Sequence, residues 1–179
     1  MTQIKTDKIE LLVLDVDGVL TDGRIVLTST GQEIKAFNAR DGSGMKYWKR
    51  VGGKLAIISG RGSQAVIRRA EELDVDICRL DIRRKAPVYE EVLAELGMTN
   101  EQTAVVGDDL ADLPMMQRCA LPIAVADAVQ EVRSAAAYVT EAPGGGGAVR
   151  EVIELILKGS GRWDQILARY LPAEEGRPA

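Results

Sequence analysis

The run Asp15-Val16-Asp17-Gly18 places two carboxylates two residues apart, ahead of a glycine that lets the backbone turn. Such a pair has two readings. Asp-Gly after a strand is a common turn, and two carboxylates in one loop can serve as nucleophile and acid/base. Other residues bear on the choice. Ser59-Gly60-Arg61 and Gly107-Asp108-Asp109 with Asp112 follow apolar runs, and Lys85 opens Lys85-Ala86-Pro87-Val88, which reads as a helix start. Carboxylates this concentrated would repel one another and raise one another's pKa unless a cation sat among them. Oxygen ligands select a hard cation, and a few carboxylates with waters and a substrate phosphate suit Mg²⁺. A lysine at a helix N-terminus is disfavoured by the macrodipole, by roughly 0.3–1 kcal/mol, so an anion should lie nearby to offset it. Lys85 as a solvated lysine and Ser59 as a helix cap are the plainer alternatives.

The chain has no histidine, which removes Ser-His-Asp and Cys-His catalysis, phosphohistidine chemistry and histidine-ligated metals together. Cys78 and Cys119 lack metal-ligand spacing and read as small core side chains in a reducing compartment. Cys78 and Arg84 do match Cys-x5-Arg, the spacing of cysteine phosphatases. The residues between them contain no glycine to wrap backbone N–H groups around phosphate, and Asp81 would repel it.

These residues need a scaffold that brings them to one place. Mostly apolar runs at 9–14, 54–58, 77–80, 103–106 and 121–125 read as buried strands. Between them, Val66, Ala70 and Leu73 share a helical face opposite Arg68, Glu71 and Glu72, and Val88, Val92 and Leu96 form another that Gly97 closes. This alternation predicts an α/β fold, a doubly wound, mostly parallel sheet that binds ligands at the carboxyl ends of its strands. Runs at 24–27 and 33–37, around a turn containing Thr28-Ser29-Thr30-Gly31, predict a β-hairpin insertion after the first strand, at about 24–37. A last helical pattern covers 148–158, with Val149, Val152, Ile153 and Ile156 inward. One domain over 1–170 is expected, followed by a frayed, disordered tail at 171–179.

Composition narrows the partners. The 179 residues are 46% hydrophobic and 28% charged, with a net charge of −4 and no basic stripe interleaved with aromatics, so nucleic acid is not an expected partner. No apolar run approaches the ~20 residues of a membrane span. Residues 1–10 are not followed by the apolar stretch of a signal peptide. A cytoplasmic enzyme is expected.

In order along the chain, Asp15-Val16-Asp17-Gly18-Val19-Leu20-Thr21-Asp22, Ser59, Lys85 and Gly107-Asp108-Asp109-Leu110-Ala111-Asp112 resemble the four motifs of the haloacid dehalogenase superfamily of phosphohydrolases. The resemblance implies a Rossmannoid fold in which Asp15 attacks phosphorus, while Asp17 protonates the leaving alkoxide and then activates water. Ser59 and Lys85 would stabilise the transferring phosphoryl oxygens. Mg²⁺ would be held by Asp15, the backbone carbonyl of Asp17, and Asp108, with Asp109 and Asp112 orienting those ligands. Asp17 needs a proton to act as acid, which neighbouring negative charge would favour. Most relatives carry a cap domain, for which there is no room between Asp17 and Ser59 or between Lys85 and Asp108. A capless, open site is expected, covered only by another subunit.

A closer resemblance runs from about 11 to 157. Asp22-Gly23-Arg24-Ile25, Lys35-Ala36-Phe37-Asn38-Ala39-Arg40-Asp41-Gly42, Ser59-Gly60-Arg61, Val125-Ala126-Asp127-Ala128 and Gly147-Ala148-Val149-Arg150-Glu151 are similar to the 3-deoxy-D-manno-octulosonate 8-phosphate phosphatase family. It implies a homotetramer whose hairpins assemble and whose subunits complete one another's sites. It also implies an acidic sugar phosphate substrate held by Asn38, Ala39, Arg40, Asp41, Gly42, Asp17, Arg61 and Lys85, and by Lys46 and Arg69. Cations suit that substrate, although each arginine here, and Lys46, also reads as a solvated surface charge. Two positions depart from the family: Gly146, within Gly144-Gly145-Gly146-Gly147, stands where arginine is common, and Lys46 where relatives often have arginine. A flexible, uncharged four-glycine loop leaves the sugar open, with a nine-carbon ulosonic acid 9-phosphate as the nearest alternative. Two other classes remain. A phospho-accepting receiver domain has its acidic pair side by side and its acceptor after a later strand, unlike this chain. A catalytically idle oligomerisation module sits poorly with an intact Asp17.

Overall fold

The computed structural model of the chain describes residues 6–171. Apart from Leu171, the expected disordered tail lies outside the described residues. β1 (Leu11–Leu14) is fully buried and central in a six-stranded sheet. A strand covered on both faces is apolar throughout rather than alternating, hence Leu-Leu-Val-Leu. β2 (Val26–Leu27) and β3 (Glu33–Ile34) pair antiparallel as a separate hairpin. Its regular pairing is shorter than the runs that predicted it. The turn is closed by Thr28, whose backbone N donates to the Gln32 carbonyl at 2.8 Å and whose hydroxyl accepts from Gln32 N at 3.0 Å.

α1 (Ala39–Arg50), β4 (Lys54–Ile58), α2 (Gln64–Glu72), β5 (Ile77–Arg79) and α3 (Lys85–Leu96) follow. Then come β6 (Thr103–Gly107), α4 (Leu113–Met116), β7 (Leu121–Ala124), α5 (Gln130–Ala135), β8 (Tyr138–Val139), α6 (Ala148–Gly159) and α7 (Trp163–Leu167). The five expected strands all form, and β8 adds a sixth from a segment too short to show a pattern.

The sheet order is β5-β4-β1-β6-β7-β8, with every neighbouring pair parallel. From β1 the chain steps outward through β4 to β5, returns to the other side of β1 as β6, and steps outward again through β7 to β8. Right-handed crossovers put helices made on the two journeys on opposite faces. Accordingly α3 packs with α4, and α4 with α5, while α1 packs with α6. The direction reverses between β1 and β6, where an open α/β sheet leaves a crevice at its carboxyl edge. Register puts Leu14 level with Ile57 and with Val106, so Asp15, Ser59 and Asp108 emerge together at that edge. Among the described residues no helix is long and apolar enough to cross a membrane.

Candidate active site

Asp15, Asp108 and Asp112 converge in the crevice, with carboxylate oxygens within 4.8 Å of one another. Lys85, at the start of α3, reaches them: its Nζ lies 2.7 Å from Asp112 Oδ1 and 2.9 Å from Asp15 Oδ1. The residue is only 5% exposed, so the solvated reading of Lys85 fails. Burial alone would depress its ammonium, but Asp112 and Asp15 outweigh that and hold it above the usual lysine range. The anion expected to offset the helix dipole is therefore a pair of carboxylates.

Asp112 is fully engaged. Its Oδ1 accepts from Lys85, and its Oδ2 faces the backbone N of Asp108 at 3.1 Å and of Asp109 at 3.4 Å. Asp109 is exposed and caps the short 3-10 turn Leu110–Asp112 by accepting from Leu110 N at 2.7 Å, so it places Asp112. Asp15 and Asp108 differ: Asp15 Oδ1 is buried with only the Lys85 ammonium beside it, and Asp108 Oδ1 is buried with no hydrogen-bond donor. Burial, then Asp112, push the Asp15 carboxyl up to about 6 against the pull of Lys85. Burial, then Asp112, Asp15 and Asp109, push Asp108 up to about 7. Crowded carboxylates that repel one another, with one buried oxygen left without a donor, are what a hard divalent cation would relieve. Gly18, at φ +91°, makes room: a Cβ there would fall 2.1 Å from Asp108 Oδ2.

Asp17 has different neighbours. The sequence reading expected negative charge around it, and the structure supplies positive charge. Lys35 Nζ, on the hairpin, donates to Asp17 Oδ1, and Arg61 Nε lies 3.6 Å from Asp17 Oδ2. Glu33 Oε1 accepts from Arg61 Nη2 at 3.0 Å and lies 3.4 Å from Lys35 Nζ. Motif reading gave Lys35 no role, although it opens the Lys35–Gly42 run, and missed Glu33. The two-residue alternation of the second hairpin run puts them together on the face opposite Ile34.

Ser59 is buried at the end of β4, where its hydroxyl accepts from Arg61 N at 3.4 Å. It does not cap α2, whose N-terminal flanking residue is Ser63. Asn38 caps α1 through Arg40 N at 2.8 Å, and its side-chain N–H donates to the Gly145 carbonyl at 3.1 Å. Ala39 and Arg40 are exposed beside it. The four-glycine run, expected to be loose, is held in place. Gly144 N donates to Asp127 Oδ1 and Gly145 N to the Val19 carbonyl, both at 2.9 Å. A Cβ on Gly144 would lie 1.7 Å from the Gly18 carbonyl, so only glycine fits where this run crosses the β1 loop. Gly146 faces outward.

Four expected substrate contacts have other surroundings. Asp41 is 1% exposed and accepts from Arg150 N at 2.7 Å, capping α6 from the first turn of α1. Burial raises its carboxyl above the usual range although the α6 backbone N–H groups pull it down. Gly42 is buried because Arg69 passes over it: a Cβ there would fall 2.1 Å from Arg69 Nη2. Arg69 itself pairs with Glu72 at 2.8 Å and lies over the Phe37 ring at 5.9 Å. Lys46 is exposed on α1, close enough to Glu72 to help hold that carboxyl low. Asp41 and Gly42 thus fix the start of α1.

The arrangement of a carboxylate beside a buried lysine, a cation-hungry acidic pair and a second carboxylate suits phosphoryl transfer. Comparison with known proteins agrees. The haloacid dehalogenase-like hydrolase family matches residues 83–153. The 3-deoxy-D-manno-octulosonate 8-phosphate phosphatase KdsC of Escherichia coli K12 is 42% identical over 161 residues, covering 90% of this chain and 86% of that protein. The crystal structure of the same-named phosphatase from Moraxella catarrhalis, in complex with magnesium, phosphate and KDO, superposes with a TM-score of 0.90. It is 38% identical and covers 93% of this chain and 95% of that one. The Yersinia pestis phosphatase gives a TM-score of 0.87 at 42% identity, covering 89% of this chain and 86% of that one. With motifs, fold and nearly the whole length of both chains in agreement, this chain belongs to the 3-deoxy-D-manno-octulosonate 8-phosphate phosphatase family of haloacid dehalogenase-like hydrolases.

Proposed function

We propose that the chain hydrolyses 3-deoxy-D-manno-octulosonate 8-phosphate, with Mg²⁺, through a phosphoryl group carried on Asp15. The observation that carries the reading is the cluster of Asp15, Asp108 and Asp112 carboxylate oxygens, within 4.8 Å of one another, beside the Lys85 ammonium. Kinship with enzymes named for that substrate supports the sugar. Asp15, the Asp17 carbonyl and Asp108 would hold Mg²⁺, which when bound offsets the negative charge of the phosphoryl oxygens. An Asp15 oxygen bonds to phosphorus as the ester P–O bond breaks, and Asp17 gives its proton to the departing sugar oxygen. Water then attacks phosphorus and gives a proton to Asp17, and Asp15 departs as a carboxylate with inorganic phosphate released. Lys85 and Ser59 face the phosphoryl oxygens throughout.

Arg61, Asn38, Ala39 and Arg40 are the residues proposed to meet the sugar. With glycine at 146, Arg40, exposed two residues after Asn38, is the cation proposed to read a carboxylate. Ile25, Val26, Leu27 and Ile34 leave the hairpin apolar and exposed, which supports a homotetramer built on hairpins. One preparation tests both. Phosphate release from a panel of sugar acid phosphates is expected only with Mg²⁺, to stop with chelator and to favour the eight-carbon 8-phosphate. A sizing measurement is expected to give four chains per particle. Turnover undiminished by chelator would refute the metal's role, and an active monomer would refute the shared site.

A pH prediction follows from the acidic pair. Asp15 and Asp108 have folded values of about 6 and about 7, above their ordinary range, so the native metal-free protein keeps protons that the unfolded chain has lost. Its stability therefore falls as pH rises from about 4 to about 7. No histidine competes in that window. Mg²⁺ must displace those protons, so its stabilising effect grows with pH. In thermal melts, the Tm gain from Mg²⁺ is expected to be several degrees larger at pH 8 than at pH 5.5. An equal gain at both would contradict the linkage.

A further inference from the structure

Lys35 is unusual for a hairpin residue. Its side chain is 1% exposed, whereas Ile34 beside it is 52% exposed. A lysine buried this deeply has to be paired, and its partners are Asp17 Oδ1 and Glu33. Because Glu33 also holds Arg61, and Arg61 faces Asp17, two cations and two carboxylates close a ring that is neutral when Asp17 is ionised, the form that takes the proton from water. The ring joins the hairpin, the loop after β1 and the loop after β4.

The two oxygens of Asp17 are not equivalent in that ring. Oδ1 is hydrogen-bonded to the buried Lys35. Oδ2 faces Arg61 at 3.6 Å, too long for a hydrogen bond, and the Arg61 side chain is half exposed. An aspartate held at one oxygen has lost its freedom to rotate, while the other oxygen remains available to a substrate. Holding a reacting group in one orientation is a large part of what an active site contributes.

We propose that Lys35 is the positioning residue for the acid/base carboxylate, tying down Asp17 Oδ1 so that Oδ2 gives and receives the proton, with Glu33 holding Lys35 and Arg61 in place. The inference rests on the role proposed for Asp17. Proton balance is as in the hydrolysis above: Oδ2 loses its proton to the sugar oxygen and regains one from the attacking water. The hairpin is then part of the catalytic apparatus, because the strand that offers Ile34 outward sends Lys35 and Glu33 inward.

The test compares two leaving groups. In Lys35→Met, kcat for an alkyl sugar phosphate, whose departing alkoxide needs a proton, is expected to fall about 100-fold. With p-nitrophenyl phosphate, whose leaving group departs as a stable anion, release in the first turnover is expected to fall less than about tenfold. A burst equal to the enzyme concentration should precede a slow steady state, since removing the phosphoryl group from Asp15 still needs Asp17 as base. Lys35→Arg should recover part of the alkyl phosphate rate. If Lys35→Met does not fold, Glu33→Gln keeps the lysine and is expected to show the same selectivity at smaller amplitude. Equal losses on both substrates with no burst, or unchanged kinetics, would overturn the proposal. Failure of the unaltered protein to release phosphate with Mg²⁺ would overturn the hydrolase reading beneath it, which separates the two.

Discussion

Asp15→Asn is expected to lower the rate of phosphate release by at least about 10⁴-fold, the scale of losing a covalent nucleophile. The amide keeps the shape of the carboxylate, so it still fits the space at the end of β1 beside Lys85. It cannot form the phosphoryl ester, and it is a poor ligand for a hard cation. Misfolding is the competing explanation for an inactive variant, and the charge pattern separates the two. Asp15 sits in repulsion with Asp112 and Asp108. Removing its charge should leave the chelated protein as stable as the parent at pH 8, or more so, while diminishing the Tm gain from Mg²⁺. Thermal melts with and without Mg²⁺ beside single-turnover phosphate release would check both parts. A folded Asp15→Asn protein turning over within about tenfold of the parent would place the nucleophile elsewhere.

The second large effect concerns Lys85, which should matter for stability as well as rate. Lys85→Met fills similar volume with an apolar side chain but removes the cation between Asp112, fully buried, and Asp15, 8% exposed. Breaking a buried ion pair by deleting one partner costs about 3–5 kcal/mol, because the remaining charge stays desolvated and unpaired. For a chain of this size that corresponds to a Tm loss on the order of 10 °C. Catalysis should fall roughly 10²–10³-fold as well, the scale of removing one donor from a developing anion. The double variant Lys85→Met/Asp112→Asn separates the two consequences. Neutralising Asp112 relieves the stranded charge, so much of the Tm should return while the rate does not. Recovery of both together would mean that Lys85 acts on the fold alone.

The five central strands were legible because a parallel strand covered on both faces has to be apolar along its length. β8 was not, since two residues, both partly buried, carry no period. Asp15, Ser59 and Asp108 could be placed at one edge because the topology puts functional residues at strand ends. Lys85 was ambiguous in the sequence: a lysine at a helix start looks the same whether its ammonium meets water or two carboxylates. Asp41 and Gly42 sit inside a motif that resembles substrate-binding residues, but α6 takes up the Asp41 carboxylate and Arg69 covers Gly42. The glycine run was expected to be flexible because glycine is permissive. Its hydrogen bonds to Asp127, Val19 and Asn38 hold it instead.

The sequence by itself determined the chemistry available to this chain and the frame that would carry it. Carboxylates, one lysine and one serine stand at intervals set by strand and helix lengths, and no histidine offers another route. Only the tertiary structure decided what surrounds each group. Lys35 meets Asp17 across 18 positions, Lys85 meets Asp112 across 27, and Asp41 meets Arg150 across 109. Burial and ion pairing depend on distances between segments that close only when the sheet is assembled. Spacing along the chain can therefore nominate a carboxylate for chemistry, but its charged neighbours, and so its role, are set by packing.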